Sequence, residues 1–532
     1  MGKIGALLGT GATSAKVLTS AGIVRPYSPL TLAKVGRTVL AWGTGPAGGF
    51  ASMALRNPDG VALVDELGSL TFHELHARSN ALAHELRKRG VVEGDGVAIM
   101  CRNHRGFLDA SLAVAKLGAD ALYLNTAFAG PQLAEVIARE RPRLVVHDEE
   151  FTGLLSAAEI DQRLLAWVDG PTTADSLEAL ITVGDRSELA PPKRHGRVVI
   201  LTSGTTGTPK GAPRSEAGID AAVALLSRLP LKYGWRTHVA APMFHTWGYA
   251  HLALAMLLGS TVVVSRRFDP EEALRVTEEN RCDSLVVIPV MLQRMLRLPA
   301  ETLDRYSLDT LKVTAASGSA LPGDLALEWM DRFGDNLHNI YGSTEVAYAS
   351  IATPEDLRAA PTSAGKPPYA TVVKILDDHG REVPTGEAGR IFVGNGMLFE
   401  GYTGGGNKEI VSGLMSTGDV GRFDSEGRLY VEGRDDEMIV SGGENVFPKE
   451  VEDCLCRHDA VVEAAAIGVE DDEFGKRLRA FVVVAGEATE EDLKDWVRAN
   501  LARYKVPREI AFLDELPRNA TGKVLKRELH QL

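Results

Sequence analysis

Cysteine is scarce in this chain. Only Cys101, Cys282, Cys454 and Cys456 occur among 532 residues, and only the last two are close together. No His or Cys cluster of zinc-ligand spacing accompanies them, so neither a disulfide framework nor a zinc site is expected, and a reducing cytoplasm is the simplest setting. Long apolar runs are missing too: none reaches the ~18 residues that a membrane-spanning helix requires. The start, Met1-Gly2-Lys3-Ile4-Gly5-Ala6, has no Ser or Thr where an N-acylation signal needs one, and residues 9–14 interrupt the apolar stretch that a signal peptide would need. Positive charge is in deficit, with 58 Lys and Arg against 71 Asp and Glu and a formal net charge of −13. That balance excludes broad nucleic-acid binding, which needs a basic surface to neutralise phosphates.

One absence is local. Residues 1–50 contain Lys3, Lys16, Arg25, Lys34 and Arg37 but no Asp or Glu. Leu32, Val35, Val39 and Trp42 fall on one helical face there. Such a helix suits peripheral contact with an anionic membrane, or packing on its own domain. The second reading is preferred, and the expected location is cytoplasmic with membrane contact through residues 1–50 as the alternative.

The chain is too long for one hydrophobic core, so at least two domains are expected, and 45% hydrophobic with 24% charged residues is ordinary for a globular protein. From Val61 onward strand-like and helix-like stretches alternate. Residues 61–65, 97–101, 144–147, 198–202, 239–242, 261–265 and 285–288 read as short strands, and 71–89 and 106–117 as helices. Thr71 and Glu74 are spaced as a capping box, and Gly90 stops the first helix. This pattern predicts parallel sheets covered by helices. Past Gly365 the strands 371–376, 389–393 and 429–431 are joined by turns and predict a small, more antiparallel unit. The tail predicts strands at 461–469 and 479–484 and an amphipathic helix at 490–502, enough for a small α+β domain.

The sharpest local signal is Leu201-Thr-Ser-Gly-Thr-Thr-Gly-Thr-Pro-Lys-Gly211, directly after an apolar strand. Hydroxyls and glycine-exposed backbone N–H groups suit phosphate oxygens, and Lys210 adds charge. It is not a Walker A loop, because Pro209 precedes the lysine and Gly211 follows it. Further segments follow in order: Pro242-Met-Phe-His-Thr-Trp-Gly248, Ser317-Gly-Ser-Ala-Leu-Pro322, Tyr341-Gly-Ser-Thr-Glu345, Thr417-Gly-Asp419, Gly433-Arg-Asp-Asp-Glu-Met-Ile439 with Ser441-Gly-Gly-Glu-Asn445, and Pro517-Arg-Asn-Ala-Thr-Gly-Lys523. With them the chain, from about Val61 to its end, resembles the adenylate-forming superfamily of acyl-CoA synthetases, adenylation domains and luciferases, and most of all its fatty-acyl-CoA ligases. Ala212-Pro213-Arg214 departs from the apolar or small residues often found after the loop.

The resemblance implies a fold and a division of labour. It implies an α/β fold with a large N-terminal domain, residues 1–434, of two helix-covered αβ subdomains and a small β-barrel-like unit, and a small mobile α+β lid, residues 435–532, hinged at Asp436. ATP binding falls to Thr202, Ser203, Gly204, Thr205, Thr206, Gly207 and Lys210 for the phosphates. Gly318, Ser319, Ala320, Asn339 and Tyr341 are assigned to the adenine, with Gly342 and Thr344 beside it, and Asp419 and Arg434 to the ribose. Lys523 is the lysine that bridges carboxylate and α-phosphate oxygens. Mg²⁺ is placed near Thr202 and Glu345, because a carboxylate beside phosphates needs a cation between them. His245 is assigned to the acyl carboxylate or a gate, and Gly442 and Gly443 to the pantetheine path of CoA.

Trp247, Gly248, Tyr249 and Ala315 are expected around the acyl group. The small residues nearby favour an alkyl chain, so a medium- or long-chain fatty acid is the expected substrate, with an aryl or substituted acid as alternative. Three rivals are weighed: a fatty-acyl-AMP ligase or adenylation domain loading a separate carrier protein, a luciferase, and a non-catalytic nucleotide-binding scaffold. No carrier domain or obvious extra insertion is seen. Intact Lys523, Glu345 and Asp419 argue against the scaffold.

Overall fold

A computed structural model gives the fold and describes residues 12–128, 130–201, 210–214, 219–403, 405–435, 439–441, 444–446, 448–471, 475–501, 505–519 and 522–532. Short apolar segments build two large sheets. The strands Gly96–Met100, Asp120–Tyr123 and Leu144–Asp148 are buried almost throughout, as strands covered on both faces must be. They join a six-stranded sheet in the order Arg163–Trp167, Leu144–Asp148, Gly96–Met100, Asp120–Tyr123, Val198–Leu201, Gly211–Arg214. Only the last pairing is antiparallel.

The eight-stranded sheet runs Ser350–Ala352, Leu337–Tyr341, Val313–Ala316, Ser284–Val287, Arg236–Val239, Thr261–Val263, Val61–Asp65, Gly68–Thr71. Its six inner strands are parallel, and its two outermost pairings are antiparallel. The strand expected at 239–242 instead ends at Val239, because Ala240 and Ala241 both donate to the Val286 carbonyl and the chain then turns at Pro242.

The helix Phe72–Lys88 starts at the expected capping box. The Thr71 hydroxyl accepts from the Glu74 N–H, and the Glu74 carboxylate accepts from the Thr71 N–H. Such a cap contributes about 1 kcal/mol. Gly90 follows with φ of 85°, a left-handed conformation that favours glycine. Beside it packs Arg105–Lys116, which carries the buried Lys116.

The unit after Gly365 is a five-stranded antiparallel sheet built from Val372–Leu376, Gly389–Gly394, Ile410–Val411, Leu414–Phe423 and Leu429–Arg434. A fourth sheet holds the end of the chain. In it Gly475–Val484 pairs with Val461–Asp471 along ten registered positions and lies parallel to Glu509–Phe512. The helices Pro448–Cys456 and Glu490–Asn500 pack on this sheet around Val451, Leu455, Leu493 and Val497.

Residues 29–42 form a helix capped by Ser28, and Pro46–Arg56 forms a second. Trp42 packs on the main core, and Val35 and Val39 face the large cavity described below. Leu32, expected to share their buried face, is instead 53% exposed, as are Leu30 and Leu40 more strongly. Among the described residues no helix is long and apolar enough to cross a membrane.

Candidate active site

In parallel α/β sheets the carboxyl ends of the strands all open on one side, and ligands collect there. Both large sheets follow this rule toward a single cavity of about 2070 Å³. Asn125 and Phe128 follow the strand Asp120–Tyr123. Pro242 and His245 follow Arg236–Val239, Pro289 follows Ser284–Val287, Ser317–Pro322 follow Val313–Ala316, and Tyr341 to Glu345 end Leu337–Tyr341; all line the cavity. Its volume is about twice the upper end of the roughly 300–1,000 Å³ usual for one drug-sized ligand. There is room for more than one substrate.

The most polar side of the cavity draws on several parts of the chain. Asp419 sits on the antiparallel unit opposite Arg434, to which it is bonded in register. Its carboxylate accepts from the Tyr341 hydroxyl and pairs with Arg434 at 3.5 Å. Burial pushes the Asp419 carboxyl up from its ordinary value, while the Tyr341 hydrogen bond and the charges of Arg434, Lys523 and Lys408 pull it down. Burial likewise raises the Tyr341 phenol well above its usual range, so it stays a donor. Lys523 thus faces Asp419 from the small C-terminal unit. Its backbone is fixed by Asn519, whose side chain accepts from the Lys523 N–H at 2.9 Å and whose N–H donates to the Lys523 carbonyl.

Gly318, Ser319, Ala320, Asn339, Gly342, Thr344, Glu345 and Lys210 also line the cavity. Gly342 has a steric reason to be glycine: a Cβ would lie 2.2 Å from the Ala347 carbonyl oxygen. The Glu345 carboxylate accepts from the Tyr402 hydroxyl at 2.6 Å, and Lys210 Nζ lies 5.5 Å from the Tyr402 ring centroid. The Gly211 N–H donates to the Thr403 hydroxyl, which donates in turn to Glu140. Glu345 offers the hard oxygen donor that Mg²⁺ takes alongside phosphate oxygens, so the residue present fits that ion. Thr202, Ser203, Gly204, Thr205, Thr206 and Gly207 lie outside the described residues, as do Asp436, Gly442 and Gly443.

His245 lines the cavity with Trp247 and Tyr249. Burial lowers the His245 imidazole to about 3, so it is neutral at neutral pH; its Nε2 and the Thr246 hydroxyl are buried without a partner among the described residues. Two residues expected around the acyl group are not on the wall. Gly248 is turned into the Pro242 carbonyl, where a Cβ would lie 2.3 Å from the oxygen, and Ala315 is a fully buried inner-strand residue in the core.

Tyr402, Lys408 and Asn519 had not been singled out from the sequence. Lys408 Nζ lies 3.3 Å from where a Cβ on Gly418 would stand, next to Asp419. The available signal was weak: a lone aromatic after Gly401 and a lone lysine in a Gly-rich stretch. The N-terminal wall, from Val35 to Arg56, was missed as well.

A cluster of Cys101, His104 and Asp148 elsewhere has metal-like proximity but is fully committed to the fold. His104 Nε2 bonds Asp148, its Nδ1 accepts from the Gly106 N–H, and the second Asp148 oxygen accepts from the Arg102 N–H. Burial raises all four cysteine thiols, so none is an activated nucleophile.

The AMP-binding enzyme family matches residues 50–403, and its C-terminal domain matches residues 450–523. The chain belongs to this family of AMP-binding enzymes, within the adenylate-forming superfamily. It is similar to a feruloyl-CoA synthase of Amycolatopsis sp, 32% identical with 90% of this chain and 97% of that one covered. It is similar to a 2-succinylbenzoate–CoA ligase of Geobacillus kaustophilus, 34% identical over 90% and 96%. Among solved structures, the o-succinylbenzoate CoA synthetase of Bacillus subtilis bound to its acyl-adenylate superposes with a TM-score of 0.79 at 28% identity, over 90% of this chain and 97% of that one. The chain is accordingly an AMP-forming acid–thiol ligase.

Proposed function

We propose that the protein joins a carboxylic acid to CoA in two steps, and that the acid is an extended aryl acid. The observation that carries the reading is one cavity walled both by the polar group of Asp419, Arg434, Glu345 and Lys523 and by an apolar surface from Trp247 to Leu257. In the first step the carboxylate attacks the α-phosphate of ATP, the bond to pyrophosphate breaks, and an acyl-adenylate forms. In the second the CoA thiol displaces AMP, giving the thioester and a proton.

In this reading the neutral His245 and the Thr246 hydroxyl, both without partners in the cavity wall, meet the acid's carboxylate. Asp419, held by Tyr341 and Arg434, accepts from the ribose hydroxyls. Gly318, Ser319, Ala320 and Asn339 surround the adenine. Glu345, oriented by Tyr402, would hold Mg²⁺ with the phosphate oxygens, and the ion would supply charge neutralisation there. Lys523 stabilises charge on the reacting oxygens, an electrostatic contribution made in the transition state. The loop 202–211 takes the leaving pyrophosphate. The lid 435–532 then turns about Asp436 and brings Gly442 and Gly443 to the CoA path.

The relatives whose names specify aryl acids favour an aryl substrate. A medium- or long-chain fatty acid is the second reading, favoured by the cavity's extension between the helices Pro46–Arg56 and Thr246–Leu257. The test is AMP and thioester release with ATP, Mg²⁺, CoA and a panel of aryl and alkyl acids. Turnover of an aryl acid is expected to exceed that of alkyl acids. AMP without thioester would remove the CoA assignment, and preference for alkyl acids would replace the first substrate class with the second.

A further inference from the structure

One wall of the cavity away from Asp419 carries unpaired polar groups. One face of the helix Pro46–Arg56 lines it along its whole length, through Gly45, Pro46, Gly49, Ser52 and Arg56, which recur at the three- and four-residue spacing of a helical stripe. At Gly49 a Cβ would stand in ordinary van der Waals contact with Met256, at 4.0 Å. Beyond it, Ser52 is 96% buried (4% exposed), and its hydroxyl has no partner among the described residues. One turn further stands Arg56. Among the described residues its Nε has no acceptor, one terminal nitrogen reaches the Met53 sulfur at 2.7 Å, and the guanidinium lies 6.0 Å from the centre of the Tyr27 ring. Among the described residues no carboxylate lies within ion-pair distance of Arg56.

Arg56 is half-buried and Ser52 fully buried, and a guanidinium nitrogen and a hydroxyl held in the cavity wall without acceptors are costly unless something pairs with them. We infer that Arg56 and Ser52 form an anion subsite for the acid substrate, binding a second carboxylate at the opposite end of the molecule from the one that is activated. This rests on the ligase reading above and specifies its substrate class: an extended dicarboxylic acid. The helix Thr246–Leu257 runs beside the channel from His245, and its twelve residues span about 18 Å. The substrate therefore has to be long enough to hold both carboxylates at once. A monoacid of the same length would place a methyl group against Arg56 Nε and Ser52 Oγ and desolvate both without replacing their hydrogen bonds. The subsite thus selects against it as well as for the diacid. Arg56 touches no reacting atom, so its effect falls on affinity and not on the chemical step.

The experiment pairs two readouts on the full-length protein: calorimetric binding of matched mono- and dicarboxylic acids of increasing length, and AMP release with the same acids, ATP, Mg²⁺ and CoA. At the favoured length the diacid is expected to bind at least about tenfold more tightly than the monoacid. The preference should vanish in Arg56→Met and partly return in Arg56→Lys, with kcat for a short monoacid unchanged. Gly49→Leu, which crowds the passage beside Met256 and leaves Arg56 in place, should abolish binding of long diacids and spare short acids. A diacid preference that survives Arg56→Met overturns the subsite, as does its absence at every length; AMP release in those cases leaves the ligase reading standing. An Arg56-dependent diacid preference in binding with no AMP from any acid supports the subsite and removes the ligase reading.

Discussion

At the scale of single residues, Glu345 and Asp419 share a design: each carboxylate is held by a tyrosine hydroxyl from a different part of the chain. Tyr402 donates to Glu345, and Tyr341 donates to Asp419. A carboxylate on a cavity wall can rotate, and such a bond fixes which lone pairs face a ligand. Groups that orient a metal-binding carboxylate typically contribute 10- to 100-fold in affinity or activity. Tyr402→Phe removes the hydroxyl and keeps the ring, so the Mg²⁺ concentration for half-maximal AMP release is expected to rise about tenfold. An unchanged Mg²⁺ midpoint would show that Tyr402 does not position Glu345 for the ion. Asp419 and Glu345 were legible in the sequence because they stand in the strings Thr417-Gly-Asp419 and Tyr341-Gly-Ser-Thr-Glu345. Their tyrosine partners were harder to assign. Tyr402 lies 57 positions from Glu345, and Tyr341 read as an adenine contact when its hydroxyl also reaches Asp419 across 78 positions.

At the scale of elements, the helix pair Phe72–Lys88 and Arg105–Lys116 carries an unusual joint. Lys116 is 1% exposed, and among the described residues its ammonium nitrogen meets only neutral acceptors: the His76 carbonyl, Ser79 and Asn80, with the His76 ring at 3.2 Å. Burial lowers Lys116 to about 7, and burial together with the Lys116 charge lowers His76 to about 3. In the unfolded chain the lysine keeps its ordinary value of 10.5. Between these two values the unfolded state binds the additional proton, so this group makes stability rise with pH from about 7 to 10.5, and its penalty is complete below 7. Chemical denaturation of Lys116→Met beside the parent chain should show the two stabilities converging as pH rises through this window. A difference constant with pH would mean that Lys116 is charged in the native state. The capping box of this helix and the bounds of strands such as Val61–Asp65 and Leu144–Asp148 were readable because they depend on neighbours along the chain. The strand at 236–239 was misplaced because its end is set by hydrogen bonds to Val286, almost fifty positions away. Ala315 was assigned to the acyl wall for the same kind of reason: strand alternation does not reveal which face of an inner strand meets a cavity.

At the scale of the whole molecule, the site belongs to no single sheet. The large sheets supply the loops at their carboxyl ends, the antiparallel unit supplies Asp419 and Arg434, and the small C-terminal unit supplies Lys523. Among the described residues, that last unit meets the large one through polar groups and one close approach. The Val462 carbonyl accepts from Gln293 and Arg297, Glu463 lies 3.8 Å from Arg297, and Gly522 stands where a Cβ would come within 2.6 Å of Val290. Small, polar contacts of this kind suit an element that changes position between steps. In the proposed mechanism Lys523 serves the first step and is dispensable in the second. Lys523→Ala assayed in two halves tests this: pyrophosphate release from acid and ATP, and thioester formation from supplied acyl-adenylate and CoA. The first is expected to fall by about a hundredfold or more, the scale of losing one transition-state charge contact, and the second to stay near the parent rate. Equal loss of both halves, or none of the first, would contradict it.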